Sequence, residues 1–342
     1  MANIALRNPQ FKSKTVTQSI KSVVCTIFID GLSTPIYTLI KNLPFAATGQ
    51  TVYFDIAELA RDYLEITYQT DYIPQTIQIE TTLTPYDDVN GTGNAGTATN
   101  FDDIGFEAYG TFEEGVNPEV PFGRSLPTLL IPINEDTNTF TIFAPNNQAG
   151  IIPYLTSTTR GADAYSGTDT SVTIPTVQGV DCNIKRIDCT KYGEGNKITY
   201  INKYGVQQDL WFFLKQTKNL ARTNEGYKSN TLAITTPSGG GLPTPTYSIQ
   251  NAPNKVFNTQ AKQTHTLSSG YYPEFANQFF EELLLSEYVW LSKFVSSGAR
   301  SDLVIPVKVK TSSVAFKTSV NDRLIEYTME FEEAFDYINN IR

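Results

Sequence analysis

Histidine is nearly absent from this chain of 342 residues; His265 is the only one. A Ser–His–Asp or Cys–His arrangement would have to use it, and no G-x-S-x-G nucleophile motif accompanies it. Cysteine is scarce as well. Cys25, Cys182 and Cys189 form no CxxC pair, and their odd number argues against a disulfide framework and for buried thiols in a reducing compartment. Zinc needs about four Cys or His ligands, and these four residues are spread from position 25 to position 265. No run approaches the ~20 apolar residues that span a bilayer. The first residues, "MANIALRNPQFKSK", lack the apolar core of a signal peptide. The expectation is a chain made in a cytosol that stays soluble. Basic excess is missing too: 26 Lys and Arg stand against 35 Asp and Glu, a net charge of −9. That balance disfavours nucleic acid or an anionic membrane as the main partner and suits a surface that meets other proteins.

What is present points to strands. Tyr (19) and Phe (20) are abundant and Met (2) is rare; with plentiful Thr, Asn, Pro and Gly this favours strands and turns over long helices. The length suggests two domains. "SVVCTIFID" (22–30) and "PIYTLIK" read as a hairpin, and "TIQIETTL" (76–83) alternates. Between them "FDIAELARDYLEI" has a helical period, with Asp55 and Glu58 in capping-box spacing and Ile56, Leu59, Ala60, Tyr63 and Leu64 on one face. Polar residues at 86–103 read as a loop, and "SLPTLLIPI" and "NTFTIFAP" as short strands of a connector. "KITYINKYGVQQDLWFFLK" (197–215) reads as a hairpin turning at Gly205. The Pro/Gly tract near 235–255 reads as a flexible tip. Pro273 starts a second amphipathic helix, after which "LVIPVKV", "SVAFKT" and "LIEYTMEFEEAF" read as strands. The expected fold is therefore mainly β: two β-sandwich-like domains, each with a short amphipathic helix, plus long loops or arms. The first domain spans 1–115, an extended connector or insertion spans 116–180, and the second domain spans 181–342.

No catalytic set, cofactor site or metal site emerges. "GTGNAG" at Gly91, Gly93 and Gly96 matches G-x-G-x-x-G but has neither a strand before it nor a helix after it. Adjacent acids (Asp87–Asp88, Asp102–Asp103, Glu113–Glu114, Glu281–Glu282) point apart on a strand, so adjacency does not make a glycosidase pair. Calcium could use the Asp/Asn-rich loop at 87–103, although EF-hand spacing is missing. The aromatic residues are the strongest signal. Trp211, Phe212, Phe213, Phe279, Phe280 and Trp290 could pack a core, form a sugar platform or meet a neighbour. Trp211, Phe213 and Trp290 are the candidates for a subunit contact.

"ITYINKYGVQQDLWFF", "FFEELLLSEYVWL" and "IPVKVKTSSVAFKTSVNDRLIEYTMEFEEAFDYI" resemble the structural proteins of tailed-bacteriophage virions, of tail or baseplate type. A weaker likeness lies in "TVYFDIAELARDYLEI" and "FEAYGTFEEGVNP". About half of the chain is covered. The resemblance implies a non-enzymatic structural component, assembled in the host cytoplasm into the virion tail. Its partners would be other copies of itself and neighbouring virion proteins. A carbohydrate-binding adhesin or tail-fibre protein that meets a host glycan, and a glycan hydrolase, are the alternatives.

Overall fold

A computed structural model describes residues 2–16, 19–43, 49–69, 74–109, 195–292, 303–318 and 324–336, together with the backbone of five short strands between 128 and 187. The chain is mainly β.

The first sheet is built from β1 (Ala2–Ala5), β3 (Ser22–Ile29), β4 (Tyr37–Asn42), β6 (Thr76–Tyr86) and β7 (Thr99–Phe106), in the order β1-β7-β6-β3-β4. All pairs are antiparallel except β1 with β7. An antiparallel pair of β2 (Phe11–Val16) and β5 (Gln50–Asp55) closes over one face. Period-two alternation explains the layer: Val23, Cys25, Ile27, Ile77, Ile79 and Leu83 point inward to meet Val16, Val52 and Phe54. Helix α1 is short, Ala57–Arg61. No side chain makes the expected reciprocal cap; instead the Asp55 carboxylate accepts from the Ala57 N–H at 3.2 Å and the Gln10 N–H at 2.9 Å. Because the helix ends at Arg61, Tyr63 leaves the apolar face and is exposed, whereas Ile56, Ala60 and Leu64 stay buried.

The polar loop is shorter than the sequence suggested. It gives way to β7 at Thr99, and Ile104 and Phe106 are core residues. The Asp and Asn residues at 100–103 mask a strand whose acids divide between its faces: Asp102 is exposed, while Asp103 is buried against Lys12 Nζ at 2.5 Å.

In the middle of the chain are β8 (Thr128–Pro132), β9 (Thr139–Ala144), β10 (Gln148–Pro153), β11 (Ser171–Thr173) and β12 (Asn183–Ile187). β9 and β10 form a hairpin, and β12 joins β8 and β11 in a three-stranded sheet. Asn183–Ile187 therefore pairs within the middle tract, outside the sheet of the second domain, which was expected to start at 181.

That second sheet uses β13 (Asn196–Ile201), β14 (Gln207–Phe212), β15 (Gln216–Lys228), β18 (Asn254–Ser268), β20 (Val289–Ser292), β21 (Val304–Val309) and β23 (Thr328–Glu333). Their order is β14-β13-β20-β21-β23-β18-β15. Two small antiparallel pairs complete the set: the hairpin of β16 (Ala233–Thr235) with β17 (Thr244–Thr246), and β19 (Tyr272–Pro273) with the distant β22 (Leu324–Ile325). After Pro273 a single 3-10 turn leads into helix α2 (Asn277–Leu285), which buries Phe279, Phe280 and Leu283. "SVAFKT" is not a strand. Phe316 lies edge-on to Tyr327 at 5.8 Å, and the Lys317 N–H donates to the Tyr327 hydroxyl at 2.8 Å, which lays the segment over the sheet as a loop.

The two cores meet. Ala5, Ile104, Phe106 and Ala108 belong to the hydrophobic cluster of the second sheet. The β13–β14 turn fits here because Gly205 (φ +84) lies against Phe106 and Glu107; a Cβ on it would come within 3.0 Å of Phe106 Cβ. The Asn202 carboxamide oxygen accepts from the Tyr204 and Val206 N–H groups and fixes the turn. Around this seam Arg61, Arg7, Glu107 and Glu287 form an ion-pair cluster.

Candidate assembly surface

The aromatic residues expected at a subunit contact are inside the chain. Trp211, Phe213 and Trp290 are buried. Trp211 and Phe213 stack at 6.4 Å, Phe213 stacks on Tyr272 at 6.2 Å, and the Tyr272 hydroxyl donates to the Trp211 carbonyl at 2.6 Å. Trp290 contacts Tyr68 and Tyr288. Alternating aromatic residues on both faces of β14 are thus covered by the domain's own helix, loops and neighbouring unit. Phe212, Phe279 and Phe280 are equally buried, so none of the six rings presents a face to a sugar.

The other candidate chemistries resolve into local structure. His265 is buried, with Glu333 Oε1 2.9 Å from its Nε2 and the Gln216 amide nitrogen 3.3 Å from its Nδ1. The Gln263 amide nitrogen also lies 3.2 Å from Nε2, so the ring is enclosed by polar partners on both nitrogens. In "GTGNAG" the Asp88 carboxylate accepts from the Thr92 and Gly93 N–H groups at 3.0 and 2.9 Å, and Asp87 accepts from Asn94. The Gly93 backbone bond, followed by other bonds to this loop, holds the Asp88 carboxyl below its ordinary value. Among the described residues no group of three or more His, Cys, Asp or Glu is placed to hold a metal ion. Glu281 is exposed whereas Glu282 is buried, accepting from the Lys203 N–H at 2.5 Å and the Tyr109 hydroxyl at 3.1 Å. Burial pushes the Cys25 thiol up to about 12. Cys182, Cys189 and the Glu113–Glu114 pair lie outside the described residues.

What stands out is an arm. β15 and β18 pair over their whole lengths, yet β18 contacts β23 only through Thr264–Ser268. Beyond that root the two strands run on as a lone ribbon, capped by the β16–β17 hairpin. Nine ladder steps, from the root pair Asn219↔Thr264 out to Lys228↔Asn254, at ~3.3 Å each make the ribbon about 30 Å long. From 216 to 260 every residue is exposed except Ser229, Thr231, Asn258 and Thr259, which are partly covered. The register slips once, between Glu225 and Gly226, leaving Phe257 as the extra residue of a bulge; it is 61% exposed.

Its chemistry is unusual for a surface ribbon. Leu242, Ile249, Tyr247 and Ile234 are 88%, 94%, 75% and 74% exposed near the tip, and Leu220, Val256 and Phe257 are exposed along the shaft. An isolated two-stranded hairpin is marginal in water, and clustered exposed apolar side chains mark contact surfaces. The shaft is also cationic: residues 216–260 hold Lys218, Arg222, Lys228 and Lys255 against Glu225 alone. Pairing places Lys218, Leu220 and Arg222 on one face. Their cross-ladder partners His265, Gln263 and Ala261 are buried, so near the root that face is open along its β15 side, and beyond the bulge Lys228 and Val256 continue it.

The sequence marked only the Pro/Gly tip of this arm. "QTKNLARTNEGYK" and "NKVFNTQAKQTH" alternate too weakly in hydrophobicity to reveal strands. Most of the ribbon is exposed on both faces, and where β18 does bury a side, at Ala261, Gln263 and His265, that side is small or polar. Comparison with known proteins finds no matching family model, no matching curated protein and no matching solved structure.

Proposed function

We propose that this chain is a structural component of a bacteriophage virion, of the tail or baseplate, that acts by oligomeric assembly. The observation that carries the reading is the exposed arm: a lone ribbon about 30 Å long with apolar side chains at its tip, rooted in a seven-stranded sheet. Such a ribbon gains stability when another subunit covers it, and a rigid root sets the direction in which it is offered. The motif resemblance in "ITYINKYGVQQDLWFF" and the strands after α2 supplies the virion context.

Shortening the arm tests this. Replacing residues 220–263 by Asn-Gly joins Asn219 to Thr264, which already face each other across the ladder, through a favoured two-residue turn. The shortened chain is expected to fold and to be missing from purified particles, with tails lost. Infectious particles carrying the shortened chain at normal copy number would overturn the reading.

A further inference from the structure

The arm's partner can be narrowed by charge. Residues 216–260 carry four cations and one acid, a net of +3, which leaves 22 cations and 34 acids elsewhere, a net of −12. A basic ribbon on an acidic body of the same chain is complementary to another copy of itself, and complementary potentials select partners and set register.

The body has an uncovered sheet face of the right kind. On the outer side of the first sheet, Ile104 and Phe106 pack into the seam with the second unit. Further along the same strands, Glu80 and Asp102 stand directly opposite each other and are both exposed. Like charges opposed across a ladder repel. Neither takes part in an ion pair among the described residues, and Asp30, at the end of β3, adds a third exposed acid beside Gln78. Around them Thr26, Phe28, Thr82 and Asn100 complete a half-open patch that contains apolar surface. The seam with the second unit stops beside this patch, so the body's own contact could continue onto an added ribbon.

We infer that the arm of one copy docks on the outer face of the first sheet of a second copy, with Lys218 and Arg222 neutralising Glu80 and Asp102 and Leu220 meeting Phe28. Resting on the assembly reading above, this names the partner. The donor and acceptor surfaces differ, so the contact is head-to-tail and generates a ring or a filament.

Charge reversal on the full chain tests it, read by sedimentation velocity at low and high ionic strength. Lys218→Glu with Arg222→Glu should weaken self-association roughly tenfold or more, and Glu80→Lys with Asp102→Lys should do the same. Combining all four changes should restore association to within about threefold of the unchanged chain, because each copy then offers a reversed arm to a reversed face. High salt should weaken the unchanged chain. Circular dichroism of every variant checks that the fold is kept. A fourfold variant as weak as either double variant overturns the inference. So does an unchanged chain that stays monomeric while its arm is needed to enter particles, an outcome that leaves the assembly reading standing. Binding of the arm to duplex DNA in preference to a second copy also overturns it.

Discussion

Arg61 clasps Glu107 with two of its guanidinium nitrogens: Nε lies 2.9 Å from Oε2, and Nη2 contacts Oε1 and also reaches Glu287 Oε2 at 2.5 Å. The pair ties α1 to the chain just after β7, and Glu287 ties both to the loop after α2. Hydrogen bonding to Glu107, more than to Glu287, raises the Arg61 pKa further above its already high ordinary value. The Glu107 side chain is 2% exposed and that of Glu287 is 50% exposed. Removing the Arg61 cation leaves the buried Glu107 carboxylate only the more distant Arg7 Nε at 4.0 Å, whereas removing Glu287 takes away a solvated partner. Arg61→Ala should therefore cost about 3 kcal/mol in urea denaturation, and Glu287→Gln less than about 1 kcal/mol. Equal losses would contradict the difference in burial.

Gly205 carries two constraints at once. Its φ of +84 lies in the left-handed region, and a Cβ would meet Phe106 Cβ at 3.0 Å and the Glu107 nitrogen at 3.3 Å. Gly205→Ala should lower stability by about 2 kcal/mol from backbone strain and crowding together. Thermal denaturation reads the loss. An unchanged midpoint would mean that the turn relaxes away from the seam.

Cys25 should be inert in the folded chain. Burial raises its thiol from an ordinary 9.0 to about 12, with Lys41 opposing weakly. Since the folded value is raised, the neutral thiol's contribution to stability is full below pH 9 and declines as pH rises towards 12. Iodoacetamide at pH 8 should leave Cys25 unmodified in the native chain and alkylate it in urea, as read by peptide mass spectrometry. Rapid native labelling would refute the packing around β3.

The loop after β6 should loosen in acid. Backbone donors from Gly93 and Thr92 depress the Asp88 carboxyl below its ordinary 3.8. A depressed carboxylate stabilises the folded loop above the ordinary value, and that contribution disappears as pH falls through the lowered one. Thr92 and Gly93 amide resonances should shift together over that window, and Asp88→Asn should abolish the shift. Resonances that stay fixed into strong acid would count against these bonds.

Legibility followed burial. β3, β6, β13 and β23 were readable because one face is apolar, as with Met329 and Phe331 alternating with Thr328 and Glu330. The turn at Gly205 was readable because few residues reverse a chain that way. β7 was hidden by Asn100, Asp102 and Asp103, whose fates depend on Lys12, a residue distant in sequence. The apolar run "LWFF" suggested an outward face because its covers come from α2, the seam and Tyr272. Of the arm, composition disclosed the tip and concealed the shaft, for its backbone pairing requires no pattern of side chains. The acidic patch was invisible too: Glu80 and Asp102 become neighbours only through the β6–β7 register.

The rooting of the arm has a bearing on the order of synthesis. β18 is gripped on its inner side only by β23, through the pairs from Thr264↔Glu332 to Ser268↔Thr328. A nascent chain that has passed residue 272 can already zip β15 to β18 and bond the root to the end of β14. The Leu214 N–H donates to the Ser268 carbonyl, and the Tyr272 hydroxyl to the Trp211 carbonyl. The inner flank that completes the ribbon's direction is still missing. That flank arrives some sixty residues later, when Thr328–Glu333 emerges and slots between β18 and β21. A chain that stops short of β23 should therefore hold its arm less firmly than one that includes it.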